Sequence, residues 1–388
     1  MTFVQAVPDS DETSGSSPHP LVERIVDHSA IAHNIGILLA RSDAKLMAVV
    51  KADAFGHGAV EVSRSAIAAG AAWLGVATVD EALQLRRAGL TVPILAWLVD
   101  PWSDLAAAID LGVTVSCANV DTLRAVMAAA SSAGRTADIH LELDTGMARA
   151  GSPGEAWPAL CAAARAAEQA GKVGVSGVWS HLALATDPNW SSVEFAYAAF
   201  QRGVEVAKEH GLSPRDIHLA NSAATLAHPR TAFTMVRCGA SLYGIETVVG
   251  RTHGLKYAMR AVSRLSQLRR VPAGTKVGYG HTYTTSRETT LALIPVGYAD
   301  GVPRALGGIG EVSVGGRRYP IVGAVSMDQF SIDLGDAPAR LGDEVVLLGD
   351  ASVGEPDAAE WARLVGTLPH EILTGLGGRM QRRHIGNS

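Results

Sequence analysis

Lys51 is the residue of this sequence with the clearest capacity for covalent chemistry. It closes the apolar run LMAVVK and is followed by the glycine-rich turn ADAFGHG. A lysine that is partly removed from water loses its proton more readily and becomes a nucleophile. An ordinary lysine that reaches solvent from a strand end would have the same local sequence, so this position alone indicates only a candidate.

Polar residues near the ends of two later apolar runs have the chemistry of a phosphate site. Asn221 and Ser222 follow the run IHLA, and Arg237 and Gly239 lie in the run MVRCG. The Ser222 hydroxyl and the backbone amides of Gly239 and Ala240 are donors that suit a phosphate. The segment SAAT could instead begin an ordinary helix. A nucleophilic lysine opposite a phosphate site is the arrangement that holds pyridoxal phosphate as a Schiff base.

The elements that must carry these residues alternate between strand-like and helix-like segments. Eight short aliphatic runs are separated by stretches that mostly have a helical period. Eight such units in about 200 residues predict a (β/α)8 TIM-type barrel, an α/β fold whose working face lies at the carboxyl ends of its strands. A doubly wound sheet is the alternative. The runs are 46–51, 73–78, 93–98, 113–118, 138–143, 174–182, 217–221 and 235–239.

Strand-like runs separated by glycine-rich turns predict a β-rich second domain after about residue 248. One helical pattern, DAAEWARLVGTL, follows these runs, and the chain ends in the polar segment QRRHIGNS. The first residues are rich in serine, aspartate and proline and lack the basic and apolar segments of an export signal. We therefore expect a disordered tail over 1–20, the barrel over 21–248 and the β-rich domain over 249–388.

Composition narrows the class of function. Of the 388 residues, 47% are hydrophobic, and 33 basic and 38 acidic residues give a net charge of −5. No basic run stands out, so the sequence argues against a nucleic acid or an anionic membrane as partner and favours a small-molecule enzyme. Three cysteines without CxxC spacing argue against a disulfide framework or a metal site and predict a cytoplasmic location.

Nine motifs occur in order along the sequence: AVVKADAFGHG, GVATVDEAL, DTGMARAG, SHLA, HLANSAATL, VRCGASLYG, VGYGHTYT, PVGYADGVPR and VGAVSMDQF. Together they resemble those of the alanine racemase family, and the resemblance extends from residue 22 to about 382. It implies a pyridoxal-phosphate-dependent enzyme that racemises alanine and works as a homodimer, each active site combining one chain's barrel with the other chain's second domain. Lys51 would carry the cofactor as a Schiff base and act as one base, and Tyr279 as the other.

The two-base assignment agrees with the chemistry of racemisation. Inverting a stereocentre requires removing a proton from one face of a planar carbanion and delivering a proton to the other face. By resemblance, His181 bonds Tyr279 and is linked to Arg237, Arg149 contacts the substrate carboxylate, and the amide of Met327 helps to bind it. Arg237 would face the pyridine nitrogen, and because an arginine does not give up its proton, that nitrogen would stay largely unprotonated.

Four positions depart from the family pattern. Phe55 and His370 stand where the family has tyrosines whose hydroxyls contact the cofactor phosphate, and a protonated His370 could replace one of them. Ala324 stands in place of an arginine at the outer entrance, which predicts a wider and less cationic access route. Glu142 stands where many members have a carbamylated lysine that orients the equivalent of Arg149, and we hypothesise that Glu142 is a permanent anion in that role.

These departures leave alternatives open. The first is a related pyridoxal-phosphate-dependent racemase with broader or different amino-acid specificity. A non-enzymatic pyridoxal-phosphate carrier is another, but carriers of that type lack the second domain and its tyrosine. A barrel-type amino-acid decarboxylase is a third, which Arg237 disfavours because decarboxylation relies on a protonated ring.

Overall fold

The computed structural model describes residues 20–386, so nearly all of the tail predicted over 1–20 lies outside the described residues. A first strand, β1, is followed by a sheet of eight parallel strands. The strands are β1 (Val22–Asp27), β2 (Lys45–Val49), β3 (Trp73–Thr78), β4 (Ile94–Leu98), β5 (Thr114–Cys117), β6 (Ala137–Glu142), β7 (Val173–Trp179), β8 (Asp216–His218) and β9 (Met235–Cys238).

The eight parallel strands form a barrel. From β2 to β8, each strand pairs with the next one in chain order, and β9 pairs with β2. Backbone hydrogen bonds from Thr234 N to Ile217 O (3.1 Å) and from Arg237 N to Ala220 O (2.9 Å) connect the last two strands. The predicted (β/α)8 barrel is therefore confirmed, and each predicted run overlaps one of its strands.

Helices alternate with these strands and bury their apolar sides, as the alanine-rich helical stretches predict. Side-chain caps fix several helix starts, among them the reciprocal pair of Thr78 and Glu81. Among the described residues, no helix combines the length and apolar character needed to cross a membrane. The helical segments are α1 (His28–Leu39), α2 (Lys51–Phe55), α3 (Ala59–Ala68), α4 (Val79–Arg87), α5 (Leu105–Asp110), α6 (Val120–Ala133), α7 (Trp157–Gln169), α8 (Ser191–Glu209) and α9 (Ser222–Ala227).

The second domain is β-rich, as predicted. Its main sheet has nine strands in the order β11-β14-β17-β16-β15-β18-β10-β1-β19, and β12 and β13 form a separate hairpin. Two helices, α10 (Ala358–Val365) and α11 (Pro369–Gly375), follow β18. The strands are β10 (Met259–Arg264), β11 (Gln267–Val271), β12 (Lys276–Val277), β13 (Tyr283–Thr284), β14 (Thr289–Ile294), β15 (Glu311–Val314), β16 (Arg317–Val322), β17 (Phe330–Gly335), β18 (Glu344–Leu348) and β19 (Gln381–Ile385).

The two ends of the described chain meet in this sheet. Strand β1 pairs antiparallel with β10 and parallel with β19. Assigning residues 22–27 to the barrel is therefore wrong, and the polar C-terminal segment contains a strand. Both pairings join residues more than 200 positions apart, which a local pattern does not reveal. The division of the chain at residue 248 stays a prediction.

Candidate active site

A cavity of about 260 Å³ lies at the carboxyl ends of the barrel strands. It brings together nine of the residues predicted for the site, together with Phe55, and adds tryptophan and threonine side chains that were not predicted. The nine predicted residues are Lys51, Arg149, His181, Asn221, Ser222, Arg237, Gly239, Ala240 and His370, and those not predicted include Trp97, Trp179, Thr186 and Thr247.

Lys51 stands two residues beyond β2, at the start of a left-handed turn. Residues 52–55 all have φ between 52° and 55° although none of them is glycine. An L-residue loses roughly 1–2 kcal/mol in this conformation. The backbone amide of Ala52 donates to Glu81 Oε1 at 2.7 Å. Contacts of this kind are what a strained turn needs to persist.

The environment of Lys51 makes its ammonium group easier to deprotonate than that of an exposed lysine. Burial lowers the pKa of Lys51, the nearby charge of Arg149 lowers it further, and Glu81 opposes the shift. Its Nζ lies 5.8 Å from the centre of the Trp97 ring. A lysine with a lowered pKa has a larger fraction of the unprotonated amine, which is the nucleophilic form.

Ser222 and the start of the segment 239–243 form a polar end of the cavity. The Ser222 hydroxyl accepts hydrogen bonds from the amides of Gly239 (2.9 Å) and Ser241 (3.4 Å). Two buried polar atoms of cavity residues, His370 Nδ1 and Thr247 Oγ1, have no hydrogen-bond partner in the described structure. Buried polar atoms are normally bonded, so a polar ligand fits this cavity.

Arg237 is buried and donates to several acceptors at once. Its Nη1 is 3.1 Å from His218 Nδ1, and its Nη2 is 2.7 Å from the carbonyl of Ser180 and 3.2 Å from His181 Nδ1. Burial lowers the pKa of Arg237 to about 10, partly offset by Glu142. The guanidinium therefore stays charged at neutral pH and acts only as a donor.

The contacts of Arg237 set the state of His181. Because the guanidinium only donates, His181 Nδ1 must accept, and Nε2 must carry the proton of the neutral ring. Burial, together with the charges of Arg237, Arg149 and Lys51, lowers the pKa of His181 to about 3. His181 is therefore a neutral hydrogen-bond donor through Nε2, and not a cation, at physiological pH.

Glu142 ends β6 and is buried close to Arg149. Both side chains line a small void beside the main cavity. Burial raises the pKa of Glu142 to about 7, although the charges of Arg237 and Arg149 favour its ionised form. A carboxyl with this pKa is only partly ionised at neutral pH, which disfavours a permanent anion at this position.

Two predicted site residues lie outside the cavity. Tyr279 sits between β12 and β13 with 76% of its surface exposed, and Met327 is 53% exposed. Neither lines the space around Lys51. Within residues 20–386, no group of three or more His, Cys, Asp or Glu side chains is placed to hold a metal ion.

Family models match both halves of the chain. The model described as alanine racemase, N-terminal domain, matches residues 26–247, and that of the C-terminal domain matches residues 258–384. This chain belongs to the alanine racemase family. Alanine racemases from Salinispora arenicola and Frankia casuarinae are 47% and 46% identical to it, each over 93% of this chain and 97% and 95% of their own lengths.

Solved alanine racemase structures share the whole architecture. The enzyme of the D-cycloserine producer Streptomyces lavendulae has a TM-score of 0.93 at 44% identity and covers 96% of this chain and 99% of its own. The enzyme of Bartonella henselae, solved with covalently bound pyridoxal phosphate, has a TM-score of 0.85 at 30% identity and covers 95% of this chain and 100% of its own. Alanine racemases are pyridoxal-phosphate enzymes, and the residues around Lys51 fit that cofactor.

The structure also bears on two positions that depart from the family pattern, His370 and Phe55, and on two tryptophans that the sequence did not indicate. Burial and the charge of Lys51 lower the pKa of His370, which disfavours the protonated form that could have replaced one tyrosine hydroxyl. The Phe55 ring packs 4.7 Å from that of Tyr243, centre to centre. Trp97 and Trp179 were missed because a tryptophan in an apolar strand reads as core. Both tryptophans lie at or near the carboxyl end of a barrel strand, and this position could have indicated that they line the site.

Proposed function

We propose that this alanine racemase uses Lys51 and Tyr279 as its two bases and that Tyr279 comes from a second copy of the chain. The observation that carries the proposal is the separation of the two residues. Lys51 lies in a cavity with the features of a cofactor site, whereas Tyr279 stands exposed on the hairpin of the second domain. A site that needs both bases is therefore completed by another molecule.

The residues of the cavity suit pyridoxal phosphate. Ser222 and the amides of Gly239 and Ala240 would hold the phosphate, with Asn221 and His370 beside it. Arg237, which only donates, would hold the pyridine nitrogen as an acceptor. When bound, the cofactor supplies the electron sink that acidifies the Cα proton of an amino acid joined to it.

Each base acts on one face of the substrate. The amine of Lys51 takes or gives the Cα proton on the side of the barrel, and the Tyr279 hydroxyl does so on the opposite side. A phenol has an ordinary pKa near 10, so its ionised form needs a nearby donor. His181 supplies one through Nε2. Arg149 and the amide of Met327 bind the substrate carboxylate.

Partners and location follow from the same features. The substrate is a small amino acid, and the working unit is a homodimer whose two sites are shared between the chains. All three cysteines are free and buried. Because unpaired thiols suit a reducing compartment, we assign the enzyme to the cytoplasm, where it would form D-alanine from L-alanine.

A racemase of broader specificity is the second candidate. Ala324 lies close to the segment that carries Tyr279, since a Cβ on Gly278 would be 3.2 Å from the Ala324 amide. A small residue here leaves room at the approach to Tyr279. Larger or more polar amino acids would then enter the site.

The decisive experiment uses the purified enzyme and a panel of L-amino acids. We expect a visible absorbance band from pyridoxal phosphate bound to Lys51, its loss on reduction with borohydride, and faster loss of optical rotation with alanine than with serine or lysine. A much faster rate on another amino acid would favour the second candidate. A colourless protein that does not bind the cofactor would overturn the proposal.

A further inference from the structure

Two arginines of the second domain contact the turn that follows Lys51. Arg24 in β1 and Arg382 in β19 are directly opposite each other in the parallel strand pair. Arg24 Nη1 donates to the carbonyl of Gly56 at 3.0 Å, and Arg382 Nη2 forms an ion pair with Asp53. The edge of the second domain's sheet therefore reaches the cofactor end of the barrel.

The turn depends on such contacts because its backbone is strained. Asp53 lies in the middle of the four left-handed residues. Its Oδ1 accepts from the amide of Ala59 at the start of α3 at 2.8 Å, and its Oδ2 bonds Arg382. A strained segment persists only where the surrounding structure over-determines it. Asp53 therefore links the turn to α3 on one side and to β19 on the other.

The fit between β19 and the turn is close. A Cβ on Gly58 would lie 2.9 Å from Arg382 Nη1 and 3.1 Å from Cε1 of His384. The Nδ1 of His384 lies 2.9 Å from Nε2 of His28 in α1. Residues 382 and 384 share the inward side of the strand, because side chains alternate along it. Contacts along this side hold β19 against the helices near Lys51.

Arg383 provides an internal comparison. It lies between the two inward residues, is half exposed and pairs with Glu23 at 3.3 Å on the other side of the strand. Among the described residues, none of the side-chain hydrogen bonds or ion pairs of Arg383 reaches the turn. Arg24 also donates to the carbonyls of Leu376 (2.9 Å) and Met380 (3.5 Å), which precede β19. Arg24 therefore joins the turn to the C-terminal segment, while Arg382 joins the turn to β19 through Asp53.

We propose that Arg382, together with Arg24, is a positioning residue for Lys51. By holding Asp53 and Gly56, the two guanidinium groups fix the strained turn and with it the direction in which the lysine enters the cavity. The C-terminal strand is then part of the framework of the cofactor site, although it touches neither cofactor nor substrate. This inference rests on the proposed role of Lys51.

The test compares Arg382→Gln with Arg383→Gln in the full-length enzyme. Pyridoxal phosphate is titrated into each apoenzyme, and the visible band and its pH dependence are recorded. We expect Arg382→Gln to bind the cofactor on the order of tenfold to a hundredfold more weakly, with kcat falling more than KM changes. Arg382→Lys should recover part of the loss, and Arg383→Gln should behave as the native enzyme does.

A second variant keeps the proposal testable if Arg382→Gln does not fold. Asp53→Asn retains an acceptor for Ala59 and tolerates the left-handed backbone, but it loses the charge. It should weaken cofactor binding too, and the double variant should show little further loss. An unchanged cofactor affinity and band in Arg382→Gln or Asp53→Asn, or an equal loss in Arg383→Gln, would overturn the inference. A native enzyme without the visible band would instead overturn the proposed role of Lys51.

Discussion

Replacing Glu142 by glutamine should make the enzyme more stable and less active at the same pH. The pKa of this carboxyl is ordinarily 4.5 and is raised to about 7 by burial at the end of β6. Because a shift of one pKa unit corresponds to about 1.36 kcal/mol, folding disfavours the ionised form of Glu142 by about 3 kcal/mol. Glutamine has nearly the same shape and carries no charge.

The sign of the pH dependence follows from the raised pKa. The folded chain binds the proton of Glu142 more tightly than the unfolded chain does, so its stabilising effect is fully present below pH 4.5 and is lost as the pH rises through about 7. Glu142→Gln should therefore gain up to about 3 kcal/mol of stability over the native enzyme above neutral pH. The gain should shrink towards zero on acidification.

Activity should change in the opposite direction. The carboxylate lies near Arg149, which lines the main cavity. Loss of the anion should lower kcat/KM on the order of tenfold above neutral pH, where Glu142 is ionised, and have little effect at acid pH. Thermal unfolding of the holoenzyme and racemisation rates across the pH range measure both effects. Glu155→Gln, at an exposed position on the next loop, is the control. A stability difference that does not vary with pH, or unchanged activity in alkaline solution, would refute the reasoning.

Three further predictions concern single residues of the site. Phe55→Tyr should strengthen cofactor binding by about 0.5–3 kcal/mol by supplying a hydroxyl, and unchanged affinity of the apoenzyme would contradict this. The His181 ring, with its pKa at about 3, should not titrate around neutral pH, which imidazole NMR signals compared with His181→Asn would check. Because the pKa of His181 is lower in the folded chain than its ordinary value of about 6.5, the free energy of unfolding should decrease as the pH falls below about 6.5. Tyr279→Phe should stop racemisation in both directions while Lys51 still exchanges the Cα proton of one enantiomer with solvent. Exchange of both enantiomers would contradict the assignment.

The barrel was predictable because its information is local. Each strand from β2 to β9 is an aliphatic run bounded by turn or cap residues, and the side chains at the ends of parallel strands necessarily meet. The chain order of Lys51, Ser222 and Arg237 therefore predicted one cavity at the carboxyl edge. For the second domain, only its β-rich character was predictable, because the order of the strands in its sheet depends on pairings between residues that are distant in the sequence.

What the sequence did not reveal depends on tertiary contacts. The left-handed turn after Lys51 is built from alanine, aspartate and phenylalanine, none of which indicates a positive φ as strongly as glycine does. The pKa values of Glu142 and His181 come from burial, which follows from how β6 and β7 pack in the barrel. The pairing of β1 with β19 joins the two ends of the described chain and has no local signal.

The central claim is that each active site takes Lys51 from one chain and Tyr279 from another. Lys51→Ala and Tyr279→Phe should each abolish racemisation as homodimers. In a heterodimer of the two variants, one site has lost both bases and the other retains both, so co-expressed and doubly purified heterodimers should show about half the native activity per dimer. If both bases came from the same chain, every site would lack one of them, and an inactive heterodimer would contradict the account.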